Sequence, residues 1–124
     1  MSRLGGSSVP VLAPIRNADR RNWIRYPCSK DITCRVLTDD NEAFWAIRPQ
    51  NISEGGIKLI LDRFIGIGEM AAVEVFNNLR GFSFQGHIQV LFTFEDLHGY
   101  VVLGGSFIPE ISAKDLEELL GFRY

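Results

Sequence analysis

Ile32-Thr33-Cys34-Arg35-Val36, followed at once by Asp39-Asp40-Asn41, decides the fold class of this 124-residue chain. Apolar Ile32, Cys34 and Val36 alternate with polar Thr33 and Arg35, the period-two pattern of a half-buried strand, and the Asp-Asp-Asn cluster supplies a turn. The same pattern repeats downstream. A second strand is expected from about Ala43 to Ser53, with an irregularity at Pro49, which has no N–H to give to a ladder. Residues 56–62 read as a third, mostly apolar strand. Gly66-Ile67-Gly68-Glu69 makes a turn, residues 71–76 alternate as a fourth strand, and Asn77-Asn78-Leu79-Arg80-Gly81 reads as a hairpin loop. In the long fifth strand Ile88, Val90, Phe92 and Phe94 are expected to line one face. Asp96-Leu97-His98-Gly99 then turns the chain into a sixth, where Val101, Leu103 and Phe107 share a side.

Strands this short at this spacing predict a mainly all-β chain, an antiparallel barrel or sandwich. The end is different. Ser112 suits a helix N-cap, Asp115 takes the third helical position, and Ile111 can staple to Leu116. Leu116, Leu119 and Leu120 form an apolar stripe at helical spacing, so a short C-terminal α-helix should lean on the sheet.

Hydrophobic residues make up 46% of the chain and charged residues 23%, which indicates a globular domain rather than disorder. A net charge of -2 argues against DNA or RNA as partner, since neutralising many phosphates needs a basic face. The positive charge is clustered all the same, with Arg16, Arg20, Arg21 and Arg25 within ten positions. Such a patch on a mildly acidic protein suits a small anion. Residues 1–18, with Gly5-Gly6-Ser7-Ser8 and two prolines, read as a flexible N-terminal arm ahead of one domain at 19–122. Val9-Pro10-Val11-Leu12-Ala13-Pro14-Ile15 is too short and too interrupted for a signal peptide or a membrane span, so membrane insertion is not expected and a cytoplasmic location is. Cys28 and Cys34 lack metal-site spacing, and Cys34 fits a strand as a small buried residue.

Two polar signals interrupt this domain. Arg20 and Arg21-Asn22-Trp23-Ile24-Arg25 place three arginines in a loop-like segment, where planar guanidinium forks can pair with a guanine edge, stack on a base or grip phosphate. Asn51-Ile52-Ser53-Glu54-Gly55-Gly56 ends a strand with two small polar side chains on one face, then two glycines that allow a tight backbone. The pair suits a planar anion rich in hydrogen-bond acceptors.

An R-x-x-x-R pair at Arg21 and Arg25, then [DN]-x-S-x-x-G at Asn51, Ser53 and Gly56, resembles the PilZ domain, a bacterial receptor module for cyclic di-GMP. The resemblance runs from about Asp19 to Leu120 and takes in Gly104-Gly105-Ser106-Phe107 and the final helix. It implies a six-stranded antiparallel PilZ-type β-barrel with cyclic di-GMP on its outer surface. Arg21 and Arg25 would engage guanine edges and phosphates, while Asn51, Ser53 and Gly56 hold a second part of the ligand. An arginine directly before the pair is associated in this family with an intercalated ligand dimer, a pattern that Arg20 fits. The resemblance further implies an arginine loop that orders over the barrel on binding and alters a surface seen by an effector protein. No cofactor is implied. The alternative is a protein-interaction adaptor of the same fold that does not bind cyclic di-GMP.

Other motifs carry less. Gly66-x-Gly68-x-x-Ala71 mimics a dinucleotide fingerprint but lacks the following helix. His87 and His98 have no carboxylate or cysteine at ligand spacing, and Ser53 lacks the G-x-S-x-G elbow. Trp45 reads as packing, and Trp23 as a base-stacking ring or an anchor on the barrel. No catalytic constellation stands out, so an enzyme is not expected.

Overall fold

The computed structural model describes residues 24–121. In chain order the elements are β1 (Tyr26–Pro27), β2 (Ile32–Thr38), β3 (Ala43–Trp45), β4 (Arg48–Ile52), β5 (Gly56–Leu61), β6 (Met70–Asn77), β7 (Phe82–Glu95), β8 (Val101–Phe107) and α1 (Ala113–Leu120). All strands pair antiparallel in one sheet of order β1-β4-β5-β8-β7-β6-β2-β3.

The sheet curls until its two ends meet in a single stretch of chain. The strand expected from Ala43 to Ser53 is split into β3 and β4. Its first half pairs with β2, through Arg35 with Trp45 and Val36 with Phe44, and its second half pairs with β5, through Arg48 with Ile60. At the switch the Ala46 N–H donates to Cys34 O (2.9 Å) and the Ile47 N–H to Ile60 O (2.8 Å). Residues 43–52 therefore belong to both ends of the ladder and close it. Counted as one strand, and with two-residue β1 set aside, they bring the barrel to the six strands expected.

The core follows the alternation seen in the sequence. Ile32, Cys34 and Val36 of β2, Ile57, Leu59 and Leu61 of β5, Val73 and Val75 of β6, and Leu103 and Phe107 of β8 are all buried. Burial alone pushes the Cys28 thiol up to about 11; burial, and then the neighbouring Cys28, push Cys34 up to about 12. Both stay protonated at neutral pH and are poor nucleophiles.

Helix α1 closes the barrel against β6 and β7. Ser112 caps it, its Oγ accepting from the Asp115 N–H at 3.1 Å, and Gly121 ends it at φ 80°. Ile111 and Leu116 are both buried, as a hydrophobic staple requires. Asn77, the last residue of β6, is buried and bonded through both its amide nitrogen and its amide oxygen. Its Nδ2 donates to Leu119 O (2.7 Å) and its Oδ1 accepts from the Leu79 and Arg80 N–H groups. Arg80 adds a bond from Nε to Glu118 O at 2.8 Å, so hairpin and helix are clasped together.

Two bulges disturb the pleat. One falls between Pro49 and Asn51, beside the irregularity expected at Pro49, with Gln50 as the extra residue. The other falls between Val90 and Phe92, with Leu91 extra, and it corrects the sequence reading of β7. Ile88 and Val90 face the core, but Phe92 and Phe94 do not share their side and are exposed. One inserted residue inverts every later side chain of a period-two strand. The Phe92 ring then lies over Gly104, whose missing side chain leaves the space for it.

Candidate functional site

The two polar signals, 26 residues apart, meet through the shortest ladder in the barrel. Tyr26 pairs with Ile52 and Pro27 with Asn51, and the Cys28 N–H donates to Gln50 O at 3.0 Å. This places Arg25 at the Ser53 end of β4. Its Nη1 donates to Asn51 Oδ1 at 2.7 Å. Arg25 is exposed and, among the described residues, uses one of its five N–H donors in this bond. Asn51 thus aims the guanidinium and leaves most of its fork for another acceptor.

Ser53 has a different task. It is only 1% exposed, and its Oγ accepts from the Gly55 and Gly56 N–H groups at 3.2 and 3.1 Å. Its backbone N–H donates to Gly56 O at 2.8 Å, closing the turn. The turn is pinned from outside as well. Gly55 O accepts from the Phe107 N–H (2.9 Å) and Glu54 O from the Ile111 N–H (3.0 Å), so it is joined to the end of β8 and to the approach of α1. Gly56 faces the backbone of β8, where any Cβ would run into Gly105 O. Serine and glycine here build a rigid shelf, and Arg25 and Asn51 stand on it.

Two further residues share the outer face with Asn51. Ile52 and Ile57 point into the core, so Asn51 and its cross-strand partner Lys58 point out. The row continues across β8 at Gly104 to Phe92 on β7. A half-buried lysine, a bare backbone and an exposed ring therefore extend the Asn51 row over three more strands. Lys58 was visible as the one charged residue in Gly56-Ile57-Lys58-Leu59-Ile60-Leu61, yet the sequence reading did not select it. Phe92 was hidden by the bulge.

The structure thus brings Arg25, Asn51, Ser53 and Gly56 together at one end of β4. Arg20 and Arg21 lie outside the described residues, as do Trp23 and the arm expected at 1–18. Trp45 packs its ring 5.5 Å from that of Phe76 while remaining half exposed. Among the described residues no cluster of three metal-ligating side chains occurs, and no helix is long and apolar enough to cross a membrane.

The family model for the PilZ domain matches residues 19–123. The chain belongs to the PilZ domain family. Solved structures share the fold of this PilZ domain. YcgR of Escherichia coli, in complex with c-di-GMP, superposes with a TM-score of 0.63 at 23% identity, over 81% of this chain and 42% of that one. The inhibitor of motility MotI/DgrA of Bacillus subtilis gives 0.62 at 21% identity, over 82% and 48%. The MrkH–c-di-GMP complex of K. pneumonia gives 0.60 at 17% identity, over 80% and 48%. The PilZ domain here spans less than half the length of these three chains. No curated protein matches it.

Proposed function

We propose that this chain is a cyclic di-GMP receptor that works as an adaptor for another protein. The observation that carries the reading is the Arg25–Asn51 bond, because it joins the R-x-x-x-R and N-x-S-x-x-G motifs into one exposed, donor-rich corner. The ligand offers what such a corner needs: two guanine edges with O6 and N7 acceptors, and a doubly charged phosphate ring. Arg21 and Arg25 pair with guanine and phosphate, Asn51 orients Arg25, and Lys58 adds a cation along the same row. Ser53 and Gly56 hold the shelf that fixes Asn51.

Magnitudes favour a loop that orders on binding. Fixing five residues of the arginine segment costs on the order of 5–10 kcal/mol of backbone entropy. A bidentate arginine–guanine pair contributes about 1–3 kcal/mol. Micromolar affinity, about −8 kcal/mol, then requires several arginine contacts together. Asn51 lowers the cost by holding Arg25 in advance. The ordered loop presents a new surface to an effector protein, and the location is cytoplasmic.

Titration of the full chain with cyclic di-GMP, with GTP and cyclic di-AMP as controls, tests the reading. Selective binding in the micromolar range supports it. No heat or shift at tens of micromolar cyclic di-GMP would leave the adaptor that does not bind the ligand, since Ser53 and Gly56 have complete structural reasons of their own.

Arg20 sets the stoichiometry. With a third guanidinium next to the pair, two stacked ligands can be gripped, and calorimetry is expected to settle at two cyclic di-GMP per chain. Arg20→Ala reduces that to one. A wild-type value of one overturns the role given to Arg20.

A further inference from the structure

The end of the barrel away from Arg25 carries an apolar patch on a fixed loop. β5 starts at Gly56 beside the Ser53 turn and ends at Leu61, so residues 62–69, which lead on to β6, lie at the other end. Within them Ile65 turns into the core, while Phe64 and Ile67 are each 68% exposed. The Gly68 N–H donates to Val90 O at 2.8 Å, which sets Ile67 beside Leu91, the extra residue of the β7 bulge, itself 59% exposed. The Phe64 ring lies against Gly66, near enough for a Cβ at that position to touch it. Phe64, Ile67 and Leu91 therefore form one patch. Leu97, in the adjoining β7–β8 hairpin, is fully exposed as well.

The loop is held without help from a partner. The Val90 N–H donates to Glu69 O (2.9 Å) and the Glu69 N–H to Gly66 O (3.1 Å). Arg63 Nη1 donates to Glu42 Oε2 at 2.7 Å, and its guanidinium lies 4.0 Å over the Phe44 ring, so the loop is tied to the turn between β2 and β3. Large apolar side chains held fixed in water mark an interaction surface, and a surface ordered in advance costs little to bind. Charge then narrows the partner. Six exposed carboxylates, on Asp39, Asp40, Glu42, Asp62, Glu69 and Glu95, stand at this end of a chain whose whole net charge is -2. Arg63 is already paired with Glu42 and Asp62, and the hairpin adds one acid, Asp96, and one imidazole, His98. The Glu69 carboxylate sits at the same Gly66 as the Phe64 ring, so charge and apolar surface are side by side.

We propose that this end of the barrel docks a basic amphipathic helix of another protein. Its apolar face covers Phe64, Ile67 and Leu91, and lysines or arginines along its flanks meet Glu69 and Glu95. The same charges turn away the other occupants. An anionic membrane is repelled, and so is the matching end of a second copy. The surface is remote from the arginine corner, and the inference stands whether or not cyclic di-GMP is the ligand.

The test titrates isotope-labelled, ligand-free full-length protein with a synthetic amphipathic helix of leucine and lysine, about 18 residues or five turns long. Amide shifts are expected at residues 64–69, 91 and 97 and not at Arg25 or Asn51, and added salt should weaken them. Two double variants separate the contributions. Phe64→Ser with Ile67→Ser removes the apolar anchors, and Glu69→Lys with Glu95→Lys reverses the charge; all four positions are exposed, so the fold should survive. Each is expected to weaken binding by about tenfold or more. No shifts at about 1 mM peptide overturn the proposal. So does equal binding of a peptide with glutamate in place of lysine, or affinity unchanged by either double variant. Pelleting of the protein with phosphatidylglycerol vesicles would assign the surface to a membrane, and concentration-dependent shifts of the same residues without peptide would assign it to a second copy. Either result overturns it too.

Discussion

Arg25→Ala is expected to abolish cyclic di-GMP binding at tens of micromolar while leaving the melting temperature nearly unchanged, and Arg21→Ala to do the same. The first half follows from the guanidinium fork. Losing one bidentate contact of about 3 kcal/mol weakens binding by about two orders of magnitude. The second half follows from exposure. Among the described residues Arg25 makes one side-chain bond, to Asn51, at the surface, and surface changes of this kind stay within about 0.5 kcal/mol. Arg25→Lys separates fork from charge. Lysine keeps the cation but is a point donor, so it should rescue little. Calorimetric titration and a thermal melt on the same samples check both halves. Binding that survives Arg25→Ala, or a melt that collapses with it, would move Arg25 from the ligand to the fold.

Gly56→Ala is expected to do the reverse and lower stability sharply. The new Cβ points at Gly105 O, a backbone atom of β8 that cannot swing aside. β5 and β8 pair over six residues, from Gly56 with Ser106 to Leu61 with Val101, so relief at one rung strains the others. Overpacking of this kind costs about 1–3 kcal/mol, occasionally more. In a domain of this size about 2 kcal/mol lowers the melting temperature by roughly 10 °C. Gly104→Ala is the control. Its Cβ would meet the exposed Phe92 ring, which can rotate away, so the melt should move far less. If Gly56→Ala melted like the wild type yet failed to bind, its place in the motif would be due to ligand approach instead.

The barrel was legible because its strands are half buried: Ile32, Cys34 and Val36, or Val101, Leu103 and Phe107, declare an inner face in the chain itself. The helix was legible from Ser112, Ile111 and Leu116, because capping and stapling are local. What stayed hidden depends on pairing across the sheet. Nothing in Val90-Leu91-Phe92 marks the extra residue that turns two phenylalanines outward. Nor does Ala46-Ile47 show that one run of chain changes partner and closes the ladder. For the site, the motif spacing singled out Arg25 and Asn51, and their bond gives that choice a geometry. The motif could not separate roles. Ser53 reads as a polar group free for a ligand until its hydroxyl is seen to hold two amides of its own turn.

The junction of β1 with β4 has a thermal consequence. Two residue pairs and the Cys28–Gln50 bond hold it, against six pairs between β5 and β8. Local opening begins where a ladder is shortest, at a free energy well below that of global unfolding. When those two rungs part, Arg25 leaves Asn51 while the barrel stays intact. Under the proposed function, warming is expected to weaken cyclic di-GMP binding before the barrel melts, through a two-rung seam rather than through the core.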